Sequence, residues 1–352
     1  MIKAKVIGAG GYGGVGISEL LLKHPDVEIA LLVDRGTAGS IYSDVYPHLR
    51  GHLDVRVAAP DSEEAAVETD VVFFATPDGV GMEQAGPQLD CGAKVIDYSG
   101  DFRFNSEQAY ADYATRMGKD PVHKTPDLLP ISVYGLPEIH RDKINASVNL
   151  VGNPGCFAVS CILGLAPAVD AKLIDPATLI CDCKTAVSGA GKKPNPMFHY
   201  PARYDQMNAY RLSGHQHVCE IERELSLIGG SEHRVTFTAQ VVPMCRGIMS
   251  VLYGQAAEGV TEATLMDVYE AYYAESPFVD VRPSTAEVGT VHVRGTNRCM
   301  LVVSVDQRTG RIRIVSHIDN LVKGQAGSAL QNMNLLFDLP ETAGLDQAGI
   351  YP

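Results

Sequence analysis

Residues 3–25 read KAKVIGAGGYGGVGISELLLKHP. A short apolar run, strand-like in its pattern, passes directly into glycines and then into an apolar-periodic stretch that stops at His24 and Pro25. Gly8, Gly10 and Gly13 stand in G-x-G-x-x-G spacing, with Tyr12 inside the loop. Glycines there permit a tight turn and let main-chain N–H groups approach a pyrophosphate at the start of the helix, where the dipole favours anions. Taken alone the spacing could mark a structural turn. Its setting, after a strand and opening a helix, points to dinucleotide binding.

Working outward, VEIALLVD (27–34), DVVFFATP (70–77) and KVIDYSG (94–100) are compact apolar runs closed by turn residues. Near-continuous apolar strands separated by helical segments indicate a parallel sheet covered on both faces, a Rossmann-type doubly wound α/β fold. The second strand ends in Asp34 and Arg35, about 20 residues beyond the glycines, where the adenosine ribose is read. An acidic residue there takes the 2′-hydroxyl of NAD, and an arginine accommodates the 2′-phosphate of NADP. This sequence carries both, so Asp34 keeps NAD open beside NADP.

The texture changes near residue 150. One apolar helix, CFAVSCILGLAPAV (156–169), precedes strand-like segments at 178–187, 233–244 and 247–255, and a pair at 299–306 and 311–319 that reads as a hairpin. A helix at 261–275 falls between strands, and 325–337 returns to helix. The second part is therefore expected to hold a mixed, mostly antiparallel sheet.

At 352 residues the chain is long enough for two cores. A formal charge of −13 argues against nucleic acid and anionic membranes as partners. The N-terminus enters a strand at once, without the sections of a signal peptide, and no apolar stretch is long enough for a bilayer. Eight cysteines in such a chain read as reduced thiols in a cytoplasmic setting. No paired CxxC is present, so no structural zinc is expected.

GNPGCF (152–157) puts Cys156 at the start of the apolar helix. Most cysteines beside apolar runs are inert packing. At a helix start, however, free N–H groups and the dipole stabilise a thiolate, and the Gly-Asn-Pro-Gly approach forces a sharp path into the helix. SGHQHVCEIEREL (213–225) places His215, His217 and Cys219 near another helix start. Metal ligation, a neutral imidazole acting as general base, and simple packing are all open for this cluster. SGAGKK (188–193) joins small residues to two cations, a loop suited to phosphate or carboxylate or else a solvated turn. Arg103, in GDFRF, is a further candidate anion clamp.

GAGGYGG, DYSGDFR, YGLPE, GNPGC, SGAGK, GHQHVCEIERELS, VPMCRGI, GTNRCM and KGQAGSALQNMNLLFDLPETAGL occur in that order along the whole chain. With these motifs the sequence resembles the N-acetyl-gamma-glutamyl-phosphate reductase family of the semialdehyde dehydrogenase superfamily. The resemblance implies an NADPH-dependent enzyme of arginine biosynthesis that reduces a small-molecule acyl phosphate to an aldehyde through a cysteine thioester. It implies Cys156 as nucleophile and His217 as acid and base, with Arg103, Asn153, Ser188 and Gly189 around the substrate phosphate or carboxylate. Gly8, Gly10, Tyr12, Gly13 and Arg35 would hold the dinucleotide, and Asn332 would lie on its nicotinamide side. Residues 1–153 would form the dinucleotide domain, completed by the C-terminal segment 321–352, and 154–320 an α+β catalytic and dimerisation domain of a homodimer or homotetramer.

The sequence departs from the family pattern at Phe157, Ala158 and Val159 in place of Tyr-Pro-Thr, at Val218 and Cys219 in place of Thr-Pro, at Gln240 for a histidine and at Asp34 for a serine. An aspartate-semialdehyde dehydrogenase would share the frame. A dinucleotide sensor would share only the glycine loop.

Overall fold

A computed structural model describes all residues, 1–352, and divides into two compact units, residues 1–154 with 325–346 and residues 155–324 with 347–352. In the first unit, strands β1 (Ile2–Ile7), β2 (Val27–Val33), β3 (Val71–Phe74), β4 (Lys94–Asp97), β5 (Val133–Tyr134) and β6 (Leu150–Gly152) lie in the order β2-β1-β3-β4-β6-β5, every pair parallel. Val71 to Phe74 have no exposed surface, as expected of a strand with helices on both faces. Helices α1 (Tyr12–Leu21), α2 (Tyr42–Val45), α3 (Val80–Asp90), α4 (Glu107–Arg116) and α5 (Pro137–His140) connect the strands. The chain leaves β1 with β2 on one side and β3 on the other. Such a switch point opens a crevice at the carboxyl ends of the strands.

The second unit contains helices α6 (Cys156–Asp170), α7 (Tyr200–Arg203), α8 (His217–Gly229) and α9 (Glu262–Tyr272). Its seven strands are β7 (Ile180–Thr185), β8 (Asn208–Tyr210), β9 (Thr236–Val241), β10 (Ile248–Gln255), β11 (Val279–Arg282), β12 (Cys299–Asp306) and β13 (Arg311–Ile318). They run in the order β11-β12-β13-β10-β7-β9-β8, parallel at β7 with β9 and at β11 with β12, antiparallel elsewhere. Alternation decides what each face carries. Cys181, Cys183, Leu252, Leu301, Val303, Ile312 and Ile314 turn to one side and are fully buried.

Helix α6 lies on that buried side, so closely that a Cβ at Gly164 would fall 2.2 Å from Leu252 Cδ1. Cys161 and Cys183 meet there with their sulfurs 3.5 Å apart, and Ser160 Oγ is hydrogen-bonded with Ser250 Oγ at 2.8 Å and Ser316 Oγ at 2.9 Å. Residues of the other face, among them Val251, Val302 and Val315, stay half-buried. Helix α10 (Gly327–Leu336) returns the chain to the first unit, where it packs on α1. No helix is long and apolar enough to cross a membrane.

Candidate active site

The glycine loop of the first unit is held from behind. Gly8 has φ +86°, and a Cβ there would stand 2.4 Å from Ala75 O, so only glycine allows the β1 turn to pass the end of β3. Tyr42 Oη donates to Ala9 O at 2.8 Å and Tyr46 Oη to Gly10 O at 2.9 Å. Burial pushes both phenols up, Tyr46 to about 12, so they remain donors at any ordinary pH. Close packing of α1 onto the loop falls to Gly14, whose Cβ would meet Gly8 O at 2.3 Å. Gly13 instead faces the Gln325 side chain and Tyr98.

Around this crevice Thr76 Oγ1, Tyr98 Oη, Gln325 Oε1 and Asn332 Oδ1 are buried polar atoms without a hydrogen-bond partner. Unsatisfied polar atoms beside a glycine cradle fit a site built to take a polar ligand. At the ribose position, Asp34 Oδ1 accepts from Gly36 N, Thr37 N and Thr37 Oγ1, each at 2.9 Å, while Arg35 is exposed. Its own turn thus occupies that carboxylate oxygen.

Two residues expected near substrate lie buried in this unit with their polar groups engaged. Arg103 donates from Nε to Asn153 O at 2.8 Å and from Nη2 to Tyr98 O at 2.6 Å. Asn153 donates from Nδ2 to Gln325 O at 3.0 Å and accepts from Asn332 Nδ2 at 3.2 Å. Asn332 also donates to Gly135 O at 2.8 Å. Together these side chains tie the ends of β5 and β6 to the segment that leads into α10.

In the second unit Cys156 is the first residue of α6, after Gly155 in an extended N-cap conformation, and is half-buried. First-turn N–H groups of a helix have no intrahelical acceptor, which makes this end electropositive. His217 opens α8, and its Nε2 lies so close to Gly155 that a Cβ there would stand 2.2 Å away. Gly155 N donates to Glu220 Oε2 at 3.0 Å, and Gly324 backs onto the cysteine, with a Cβ there 2.7 Å from Cys156 Cβ. Three contacts therefore fix the main chain on either side of the thiol.

A cavity of about 490 Å³ opens at Cys156, with Phe157, Thr185, Gly189, Asn195, Tyr210, Arg211, His215 and Gln216 on its walls. Ser188 is not on the wall; its Oγ accepts from Asn320 Nδ2 at 2.9 Å. His215 Nδ1 accepts from His217 N at 3.2 Å, and the two rings meet edge to face with centroids 4.9 Å apart. Phe157 touches both imidazoles edge-on. No three His, Cys, Asp or Glu side chains gather as a metal site.

Sequence reading missed Gly155, Arg211 and Gln216. Arg211 stands four residues before the histidine pair, Gln216 lies between the two histidines and Gly155 adjoins the cysteine, but only the fold tells which of a motif's neighbours face inward. Asn195 and Met197 come from a loop with no periodicity to read.

Burial, with the Arg211 charge second, pushes His215 down to about 4, and burial does the same to His317 on β13. Both folded values lie below the usual 6.5, so each histidine's stabilising contribution is present above 6.5 and is lost as pH falls toward 4. Asp101, raised to about 6 by burial, works in the opposite sense. The wild type is therefore expected to lose roughly 2 kcal/mol more than His317→Leu between pH 7.5 and 5. Urea unfolding at the two pH values checks this, and equal losses would refute it.

Residues 3–147 match the semialdehyde dehydrogenase NAD binding domain, and residues 156–320 the semialdehyde dehydrogenase dimerisation domain. Proteins named N-acetyl-gamma-glutamyl-phosphate reductase from Geobacter sp. (strain M21) and Halothermothrix orenii are 42% and 39% identical, each over the whole of both chains. Among solved structures, aspartate semialdehyde dehydrogenase II from Vibrio cholerae superposes with a TM-score of 0.72 at 16% identity, covering 96% of this chain and 99% of that one. Aspartate semialdehyde dehydrogenase with NADP from Candida albicans gives 0.68 at 17%, covering 96% and 98%. At that identity the likeness concerns the fold alone.

Proposed function

This chain belongs to the semialdehyde dehydrogenase family, and from that premise we propose that it catalyses the NADPH-dependent reductive dephosphorylation of N-acetyl-gamma-glutamyl phosphate to N-acetylglutamate semialdehyde, a step of arginine biosynthesis. One observation carries the reading. End-to-end similarity to N-acetyl-gamma-glutamyl-phosphate reductases coincides with a cavity lined by a cysteine at a helix start and by a histidine.

The Cys156 thiolate attacks the acyl carbonyl, phosphate leaves, and a thioester remains. His217 takes the thiol proton and later returns one to the substrate oxygen. The first turn of α6 supplies N–H groups to the negative charge that develops on that oxygen. Thr185, Gly189 and Asn195 are assigned to the acyl phosphate, with Ser188 holding their loop to Asn320. To Arg103, Asn153 and Asn332 we assign the positioning of main chain in the first unit, because main-chain carbonyls and one another take up their donors.

The dinucleotide would be held by the loop of Gly8, Gly10, Tyr12 and Gly13 and by the unpartnered atoms of Thr76 and Gln325, and it supplies hydride to the thioester. We assign it as NADPH, because Asp34 Oδ1 is taken up by its own turn while the neighbouring Arg35 is exposed. Arg35→Ala is expected to raise KM for NADPH about tenfold or more and to leave KM for NADH nearly unchanged. Equal changes for both would remove Arg35 from the phosphate site.

Self-association through the dimerisation domain as a dimer or tetramer, and a cytoplasmic setting for its eight free thiols, complete the proposal. The deciding experiment is phosphate-dependent reduction of NADP+ with N-acetylglutamate semialdehyde, with aspartate semialdehyde in parallel. Turnover of the second aldehyde alone would reject the substrate.

A further inference from the structure

Arg211 is the one charged side chain on the wall of the Cys156 cavity. It is exposed and has φ +50°, a left-handed backbone that a residue with a Cβ adopts only when its surroundings hold it there. Its Nη1 donates to Gln216 Oε1 at 2.9 Å. That bond fixes which way the Gln216 amide faces, and leaves its nitrogen 3.3 Å from His217 Nε2. An amide nitrogen can only donate. The ring nitrogen must then accept, so the lone pair that should take a proton is covered.

We propose that Arg211 is the clamp for the α-carboxylate of the acyl phosphate, and that engaging this carboxylate draws Gln216 off His217 Nε2, so that substrate binding itself uncovers the base. The inference rests on the substrate assigned above. A carboxylate offers the guanidinium two parallel bonds between opposite charges, where the amide oxygen offers one bond to a neutral acceptor, and it displaces Gln216 Oε1. Once unanchored, the amide swings aside, and the Cys156 proton passes to His217 Nε2 as the sulfur attacks. Neighbouring His215 stays neutral, and Phe157 holds both rings without competing for the proton.

The test compares N-acetylglutamate semialdehyde with 4-acetamidobutanal, the same aldehyde without the carboxylate, in phosphate-dependent NADP+ reduction. Alkylation of substrate-free Cys156 by iodoacetamide at pH 7, followed by mass spectrometry, gives the second readout. The wild type is expected to prefer the carboxylated aldehyde about 100-fold in kcat/KM. In Arg211→Ala that preference falls below about tenfold, with Arg211→Lys between. Arg211→Gly, at ease at this φ, serves should the alanine variant fail to fold. In Gln216→Leu, Cys156 is alkylated about threefold faster or more than in the wild type.

If the wild type oxidises the semialdehyde but Arg211→Ala and Arg211→Gly keep its preference, the clamp is wrong and the substrate stands. If alkylation in Gln216→Leu is no faster than in the wild type, the uncovering of the base is wrong. A wild type that oxidises neither aldehyde overturns the substrate reading and this inference together.

Discussion

Cys156→Ser is expected to lower turnover on the order of 10⁴-fold or more while the protein stays folded and still binds dinucleotide. The substitution changes one atom at a position whose backbone is fixed by Glu220, His217 and Gly324, so packing has little to lose. Chemistry has much to lose. A serine hydroxyl at a helix start is still far from ionised at neutral pH, whereas a thiol lies within reach of a neighbouring imidazole. An oxygen ester would also be a poorer hydride acceptor than the thioester. Steady-state rates in both directions, paired with NADPH fluorescence titration and circular dichroism, measure the effect. A serine variant with more than about one hundredth of wild-type turnover would remove Cys156 as nucleophile.

Gly155→Ala is the second large effect, and it acts without touching a reacting atom. The added methyl would stand 2.2 Å from His217 Nε2, well inside van der Waals contact, and the imidazole is itself confined by Phe157 and His215. Something must move. Either α8 retreats from α6 or the ring leaves the thiol, and a displacement near 1 Å costs about 100-fold in rate. Overpacking of this kind also destabilises by roughly 1–3 kcal/mol. Stopped-flow detection of thioester formation and urea unfolding separate the two losses. A variant with wild-type rate would mean that His217 is free to move and does not need this position.

Much of the fold could be read from residue patterns, and the reasons are particular. VVFF in β3 is buried on both faces, so it leaves an uninterrupted apolar run that nothing but a central parallel strand explains. The 299–319 hairpin carries its own turn glycine, and Gly310 adopts φ +66° as the turn requires. Cys156 was legible because a helix start is a local property. Side-chain partners across the fold are not local. Arg103 in GDFRF read as a candidate anion clamp, yet its Nε and Nη2 donate to the carbonyls of Asn153 and Tyr98, the former 50 positions away in sequence. The glycine fingerprint was legible as a loop, but that Gly14, outside the fingerprint, makes the close contact with Gly8 and Ala9 follows only from the path of the chain in space.

The four thiols Cys161, Cys181, Cys183 and Cys299 are wholly buried beneath or within the second sheet, while Cys91, Cys156, Cys219 and Cys245 reach solvent to differing degrees. Since a buried sulfur reacts only when its surroundings open, this arrangement divides the cysteines into a native set and a latent set. A thiol reagent added to the folded protein will therefore label the first set at rates set by local chemistry, and the second at the rate of cooperative opening. The core carries its own clock for unfolding, without an attached dye or a tryptophan, a residue this chain lacks.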